Sequence, residues 1–207
     1  MSTFRVNAIK HPSSSSDNIT LNSDGTITTS GAGNLNNQIL EVITGPCDGG
    51  SVTSSNGTVT FGNVTAVQNL NTTYTNVNGS VVTYQPPTGT DTVIYRFCMQ
   101  IAEADADMIC HIKFFIGGNE VVFARHTHRA DNYQNRAIFE WPIKIGGSVV
   151  ANTGRIASWN SGIELKLQIR EYSGSYETKI HTTSHWDGSG TDMFSMPTLT
   201  LTAIGQR

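Results

Sequence analysis

Charge is scarce in this sequence. Only 14 % of the 207 residues are Asp, Glu, Lys or Arg, and 13 basic against 16 acidic side chains leave a formal net charge of −3. That balance gives no electrostatic footprint for nucleic acid or for an anionic membrane surface. Long apolar runs are missing too: no stretch reaches the roughly 18 residues that a membrane-spanning helix requires. The start, MSTFRVNAIKHPSSSS, lacks the apolar segment of a signal peptide, so folding in a cytoplasm is expected. The three cysteines, Cys47, Cys98 and Cys110, have no metal-type spacing, and burial as free thiols is expected. There is no G-x-S-x-G, no H-E-x-x-H and no glycine-rich phosphate loop. The carboxylates Glu103, Asp105 and Asp107 read as a charged loop or strand end, not as a hydrolase pair. No enzyme and no cofactor is expected.

What is present is β-forming, in two compositions. Residues 1–90 hold six of the charges (Arg5, Lys10, Asp17, Asp24, Glu41, Asp48) and are crowded with Ser, Thr, Asn and Gly, whereas all three tryptophans lie beyond residue 90. A loose echo runs through the first part: SDGTITT at 23, SNGTVTF at 55 and VNGSVVT at 77. Asn-Gly and Asp-Gly supply the positive-φ positions of hairpin turns, so hairpins are expected at all three. Residues 1–37 contain too few apolar residues to bury a core and read as an extended attachment arm.

Residues 38–207 read as one β-domain. IELKLQIRE (163–171) alternates, placing Ile163, Leu165, Leu167 and Ile169 on one side of a half-buried antiparallel strand. DTVIYRFCMQIA (91–102) is longer, more apolar and expected to be central. CHIKFFIGGNEVVFA (110–124) reads as a hairpin about Gly-Gly-Asn, and Pro142 within AIFEWPIKIGG marks an edge strand or a bulge. Eight to ten short strands separated by turn signals predict an all-β fold, a jelly-roll-like antiparallel β-sandwich preceded by the arm.

Three constellations carry the candidate chemistry. His126 and His128 in FARHTHRADNYQN share one face of a strand, as metal ligands do. Two imidazoles are too few for a structural zinc site; three copies around a threefold axis would supply six. Arg125, Arg129 and Arg136 would crowd such a site with positive charge, so no metal is expected and these arginines are read as candidates for an oligomer interface. In HWDGSGTDMF, Asp187 and Asp192 flank two glycines, too sparse in carboxylates for a calcium loop. His185, Trp186 and Asp187, with Trp159 in ASWNSG, are candidates for a surface that binds glycans, because loop aromatics at one end of a sandwich suit that task.

The opening MSTFRVNAIKH…ITLNSDGTI resembles the start of structural proteins of marine tailed bacteriophages, cyanophages especially. PCDGGSVTSSNGTVTFGNV…TVIYRF, FFIGGNEV, FEWPIKIGG, LKLQIREY and HTTSHWDGSGTDMFSMPTLTLTAI resemble a module found in the same phages, so the resemblance covers nearly the whole chain. It implies a virion component assembled in the host cytoplasm: a homotrimeric, fibre-like or decorating appendage whose arm grips other capsid or tail proteins. Two alternatives follow. One is a tail-fibre tip that binds a host-surface glycan receptor, and the other is a capsid cement protein with a purely stabilising role.

Overall fold

The computed structural model describes residues 8–9, 12, 19–21, 23, 27–29, 37–103, 108–130, 134–175, 177–184, 186–188 and 192–205. Ahead of residue 38, β1 (Ala8–Ile9), β2 (Ile19–Leu21) and β3 (Ile27–Thr29) pair antiparallel in that order. The arm is therefore hairpin-forming at these positions and not extended throughout. Ile and Thr around an Asp-Gly pair favour strand pairing over a solvated chain. Among the described residues, these strands join neither sheet of the sandwich.

The domain begins with β4 (Gln38–Pro46), the hairpin β5 (Ser51–Ser54) and β6 (Gly57–Thr60), and the short β7 (Gln68–Asn69), β8 (Thr75–Asn76) and β9 (Val82–Tyr84). The long β10 (Thr90–Glu103) leads to β11 (Met108–Ile116), β12 (Asn119–Glu120), β13 (His126–Ala130) and β14 (Gln134–Lys144). After β15 (Ile163–Glu171) come β16 (Thr178–Ile180), β17 (Thr182–Thr183), β18 (Met193–Phe194) and β19 (Thr198–Gly205).

These strands build two facing antiparallel sheets. In the first, β4, β19, β10 and β14 lie side by side, and β16 and β7 continue the sheet at the far end of β10. In the second, β13 and β12 share the lane beside β11, β15 follows, and β8 and β9 share the outer lane. Taken in chain order, the main lanes run first, eighth, third, sixth in one sheet and second, seventh, fourth, fifth in the other. That is the double Greek key of a jelly roll, so the expected fold class is the one observed. Pro142 lies in β14, which pairs only with β10 among the described residues, and there its missing N–H faces no neighbour.

Alternation decides what is buried. Val93, Tyr95, Phe97, Met99 and Ile101 of β10 face Ile112, Phe114 and Ile116 of β11 and Leu165, Leu167 and Ile169 of β15, all in the core. The Phe114 ring lies 5.0 Å from Tyr95 and 5.4 Å from Phe139 between centroids, tying one sheet to the other. Each such side chain contributes roughly 1.5–3 kcal/mol through burial. Cys47 and Cys110 are buried as expected, but Cys98 is not: it faces outward, with Arg136 Nε 2.8 Å from its sulfur.

Two of the expected hairpins take another form. After the Gly117–Gly118 turn, where both residues have positive φ, β12 spans only two residues before Val122–Ala124 coils into a 3-10 turn. At Asn78–Gly79 there is no hairpin: β8 and β9 both pair with β15, end to end. The cause is non-local. Ser80, fully buried, donates its hydroxyl to Val77 O (2.7 Å) and accepts from the Leu167 N–H (3.1 Å), replacing a ladder bond across the break. Gly79, at φ 84°, packs so closely that a Cβ would lie 2.7 Å from Val64 Cγ2 and 2.9 Å from Cys47 Cβ.

Candidate functional site

The two outer faces of the sandwich differ in chemistry. On the second sheet, β11 and β15 present His111, Lys113, Glu164, Lys166, Gln168 and Arg170 to solvent. Lys113 and Arg125 both reach Glu120 (3.1 and 2.7 Å), and Lys166 reaches Glu164 (2.8 Å). Lys113 also sits 4.4 Å above the Tyr74 ring. The paired cations hold the Glu120 carboxyl below its ordinary range, the Arg125 hydrogen bond first among causes. This face is built for water.

The outer face of the first sheet is threonine and aliphatic. Its cross-strand rows run Pro142–Ile94–Thr202–Val42, then Glu140–Arg96–Thr200–Thr44, then Ile138–Cys98–Thr198–Pro46. Ile39 (65 %), Val42 (50 %), Ile138 (46 %) and Met196 (39 %) are exposed, and no comparably exposed large hydrophobic lies on β11 or β15 among the described residues. Its polar groups largely satisfy one another: Thr44 and Thr200 share a hydrogen bond of 2.8 Å, and Lys144 Nζ donates to Thr92 Oγ1 at 2.8 Å. An apolar, hydrogen-bond-satisfied sheet face is suited to packing against another protein surface.

The sequence-derived candidates scatter over this frame. His126 and His128 do share a face of β13, opposite Ile112 and Cys110, with rings 6.3 Å apart. The register is that of the buried Ile112 and Cys110, but at this sheet edge His126 is exposed and His128 half-buried. His128 Nε2 is buried without a partner, and burial, with His126 second, holds the ring below the usual histidine range. A metal shared on a threefold axis needs both rings at the surface, and of the two only His126 is exposed. Arg125, Arg129 and Arg136 do not form one patch. Arg125 pairs with Glu120 beside the second sheet, Arg129 lies on β13, and Arg136 lies on the outer face of the first sheet.

Trp159 and Trp186 part company as well. Trp159 is only 5 % exposed, packs edge-on to Tyr84 and donates its indole N–H to the Tyr84 carbonyl at 2.9 Å, so it is a core plug. It borders a cleft of about 430 Å³ whose polar lining includes Asn56, Gln85, Ser158 and Asn160, beside the start of β10. Trp186, 61 % exposed, lies at the opposite end, where Ser184 and Gln134 join near the end of β10. A dozen strand residues separate the two ends, about 40 Å. No single site holds both tryptophans. Asp187 is exposed at positive φ (52°), and His185 lies outside the described residues. Asp192 is engaged by Lys179 Nζ (2.7 Å) and Ser184 Oγ (2.8 Å).

No family model matches the chain, and no curated protein matches it. Among solved structures, it is similar to an infectious bursal disease virus Gx strain structure at 9 % identity, covering 88 % of this chain and 45 % of that one, with a TM-score of 0.35. It is similar to a GH26-CBM35 β-(1,4)-mannanase of Podospora anserina at 11 % identity, covering 80 % and 28 %, with a TM-score of 0.30. An exo-β-1,3-galactanase of Phanerochaete chrysosporium follows at 8 % identity, covering 88 % and 32 %, with a TM-score of 0.27. The chain spans less than half the length of each of these chains.

Two buried polar residues escaped the reading of the sequence. His181, between β16 and β17, is fully buried at φ 62° with neither ring nitrogen hydrogen-bonded. Glu171 occupies the core-facing register of β15, one step beyond Leu165, Leu167 and Ile169, at 6 % exposure. The alternation of IELKLQIRE contains the signal: a carboxylate at the next inward position breaks the apolar series. Among the described residues, no group of three His, Cys, Asp or Glu side chains converges.

Proposed function

We propose that the protein is a virion structural component, a homotrimeric fibre-like or decorating appendage that joins capsid or tail through its N-terminal segment. The observation that carries this reading is the contrast between the outer faces. One is laced with ion pairs, and the other exposes Ile39, Val42 and Ile138 among threonines. Burying this threonine and aliphatic face between sister copies removes apolar surface from water; Arg96 and Glu140 lie opposite each other at 3.8 Å, and Arg136 and Lys144 stay at its rim or meet acceptors of a sister copy. The resemblance of the chain to cyanophage structural proteins supports the same assignment.

Light scattering on the full chain tests it. A trimer is expected at micromolar concentration, and the double variant Val42→Lys/Ile138→Lys should shift it to monomer with its far-UV spectrum intact. A parent protein that is already monomeric defeats the reading.

Trp186 favours a second reading, host-glycan recognition. Its indole is exposed at a loop tip, available to stack on a sugar face. On a glycan array, Trp186→Ala should then lose at least about tenfold in binding, the weight of one aromatic anchor. Equal signals from parent and variant would remove Trp186 from consideration.

A further inference from the structure

β15 ends in the second sheet, and the chain crosses to β16 in the first through residues 172–177. A cleft of about 280 Å³ opens at this crossing, lined in part by Glu171, Glu177, Thr178 and Lys179. Its chemistry is out of balance. Glu171 is buried on the core side, where its strand neighbours are Leu and Ile. One carboxylate oxygen is engaged by the Thr178 backbone, whereas Oε2 is buried and has no partner. Thr178, 1 % exposed, likewise leaves Oγ1 buried and unpartnered. Two orphan oxygens thus come from adjacent ends of opposite sheets, beside a second carboxylate, Glu177.

Such an arrangement is costly in an apolar interior unless positive charge meets it. Burial raises the Glu171 carboxyl above its ordinary range, and Glu177 adds to the shift. The one cation in the lining does not answer it: Lys179 Nζ is held by Asp192 Oδ2 at 2.7 Å. Every group available is a hard oxygen donor, with no histidine or thiol in the lining.

We propose that Glu171, Glu177 and Thr178 bind a divalent cation of the calcium type. Carboxylate oxygens and the threonine hydroxyl supply part of its shell, and water supplies the rest, as in weak extracellular calcium sites. Because Glu171 belongs to the second sheet and Thr178 to the first, the ion joins the two sheets where the chain crosses between them. This site is independent of the assembly role proposed above and makes the stability of the single domain depend on the ion.

Calorimetry of the full chain, stripped with chelator and then supplied with calcium chloride at matched ionic strength, tests the site. At a hundredfold excess over Kd, Tm should rise by about 5 °C or more. In titration calorimetry, Glu171→Gln and Glu177→Gln should each weaken binding at least about tenfold. Without ion, Glu171→Gln should be no less stable than the parent, because it removes a buried charge and keeps the shape. Asp187→Asn should respond as the parent does. No rise in the parent overturns the proposal, and so does an equal rise in Glu171→Gln. An equal response to magnesium overturns the calcium-type assignment.

Discussion

Between pH 7 and pH 4 the protein is expected to lose about 3 kcal/mol of stability at His181 alone. Burial pushes this imidazole down to about 4, with the backbone of Asn78 offsetting part of the shift. The ring is sealed beside Phe97, 6.4 Å between centroids in an edge arrangement, and its approach to the Asn78 backbone falls short of a full hydrogen bond. The sign follows from the two states. The unfolded histidine takes up a proton near its ordinary value, whereas the folded one stays neutral until about pH 4. Stability is therefore fully present above the unfolded value and is lost progressively as pH falls through the interval between them. Glu171 works in the opposite direction: its raised carboxyl binds a proton in the folded state first and so recovers stability on acidification. Urea midpoints across this range should separate the two contributions. His181→Asn keeps a side chain tolerant of the left-handed backbone and removes the titration, so its pH profile should be flatter than the parent's by about that amount. Parallel profiles would show that His181 takes up its proton in the folded state no later than in the unfolded one, and would overturn this account.

Phe114→Ala is expected to cost about 3–5 kcal/mol, a large share of the stability of a domain this size. Phe114 is fully buried and is the second sheet's contribution to an aromatic cluster with Tyr95 and Phe139. Truncation removes both ring contacts and opens a cavity between two sheets that are each fixed by their own ladders, so little collapse can refill it. The denaturation midpoint should fall with no change in slope, which separates a packing loss from a change in the unfolded state. Phe114→Leu, which refills much of the volume, should recover most of the loss.

The residues that announced themselves in the sequence were those whose structure is local. β15 could be read because a half-buried antiparallel strand has a period of two, and Ile163 to Ile169 keep it without a break. Pro142 pointed to an edge strand or a bulge because it lacks the N–H that a second partner strand would need, and it lies on an edge. The turn at Asn78–Gly79 misled because its outcome rests on Ser80 meeting Leu167, 87 residues away, and on no property of its neighbours. Trp159 and Trp186 are alike in isolation, yet one fills the core and the other stands in solvent. The register of distant strands decides which, and no window of sequence carries that register. The outer face of the first sheet was hidden for the same reason: Ile39, Val42 and Ile138 become neighbours in a plane only once β4, β19, β10 and β14 are in register.

The placing of β19 between β4 and β10 governs the order of assembly. Phe97 is held on one side by Phe139, some forty residues on, but on the other by Leu199, about a hundred residues on. The β10–β14 pair can therefore form while the middle of the sheet still lacks a neighbour. Until β19 arrives, Thr90–Cys98 of β10 present an open edge and an apolar face at once. Late closure of so long a loop favours slow folding, on the scale of milliseconds to seconds. It also leaves a window in which that edge can pair with another copy in the wrong register.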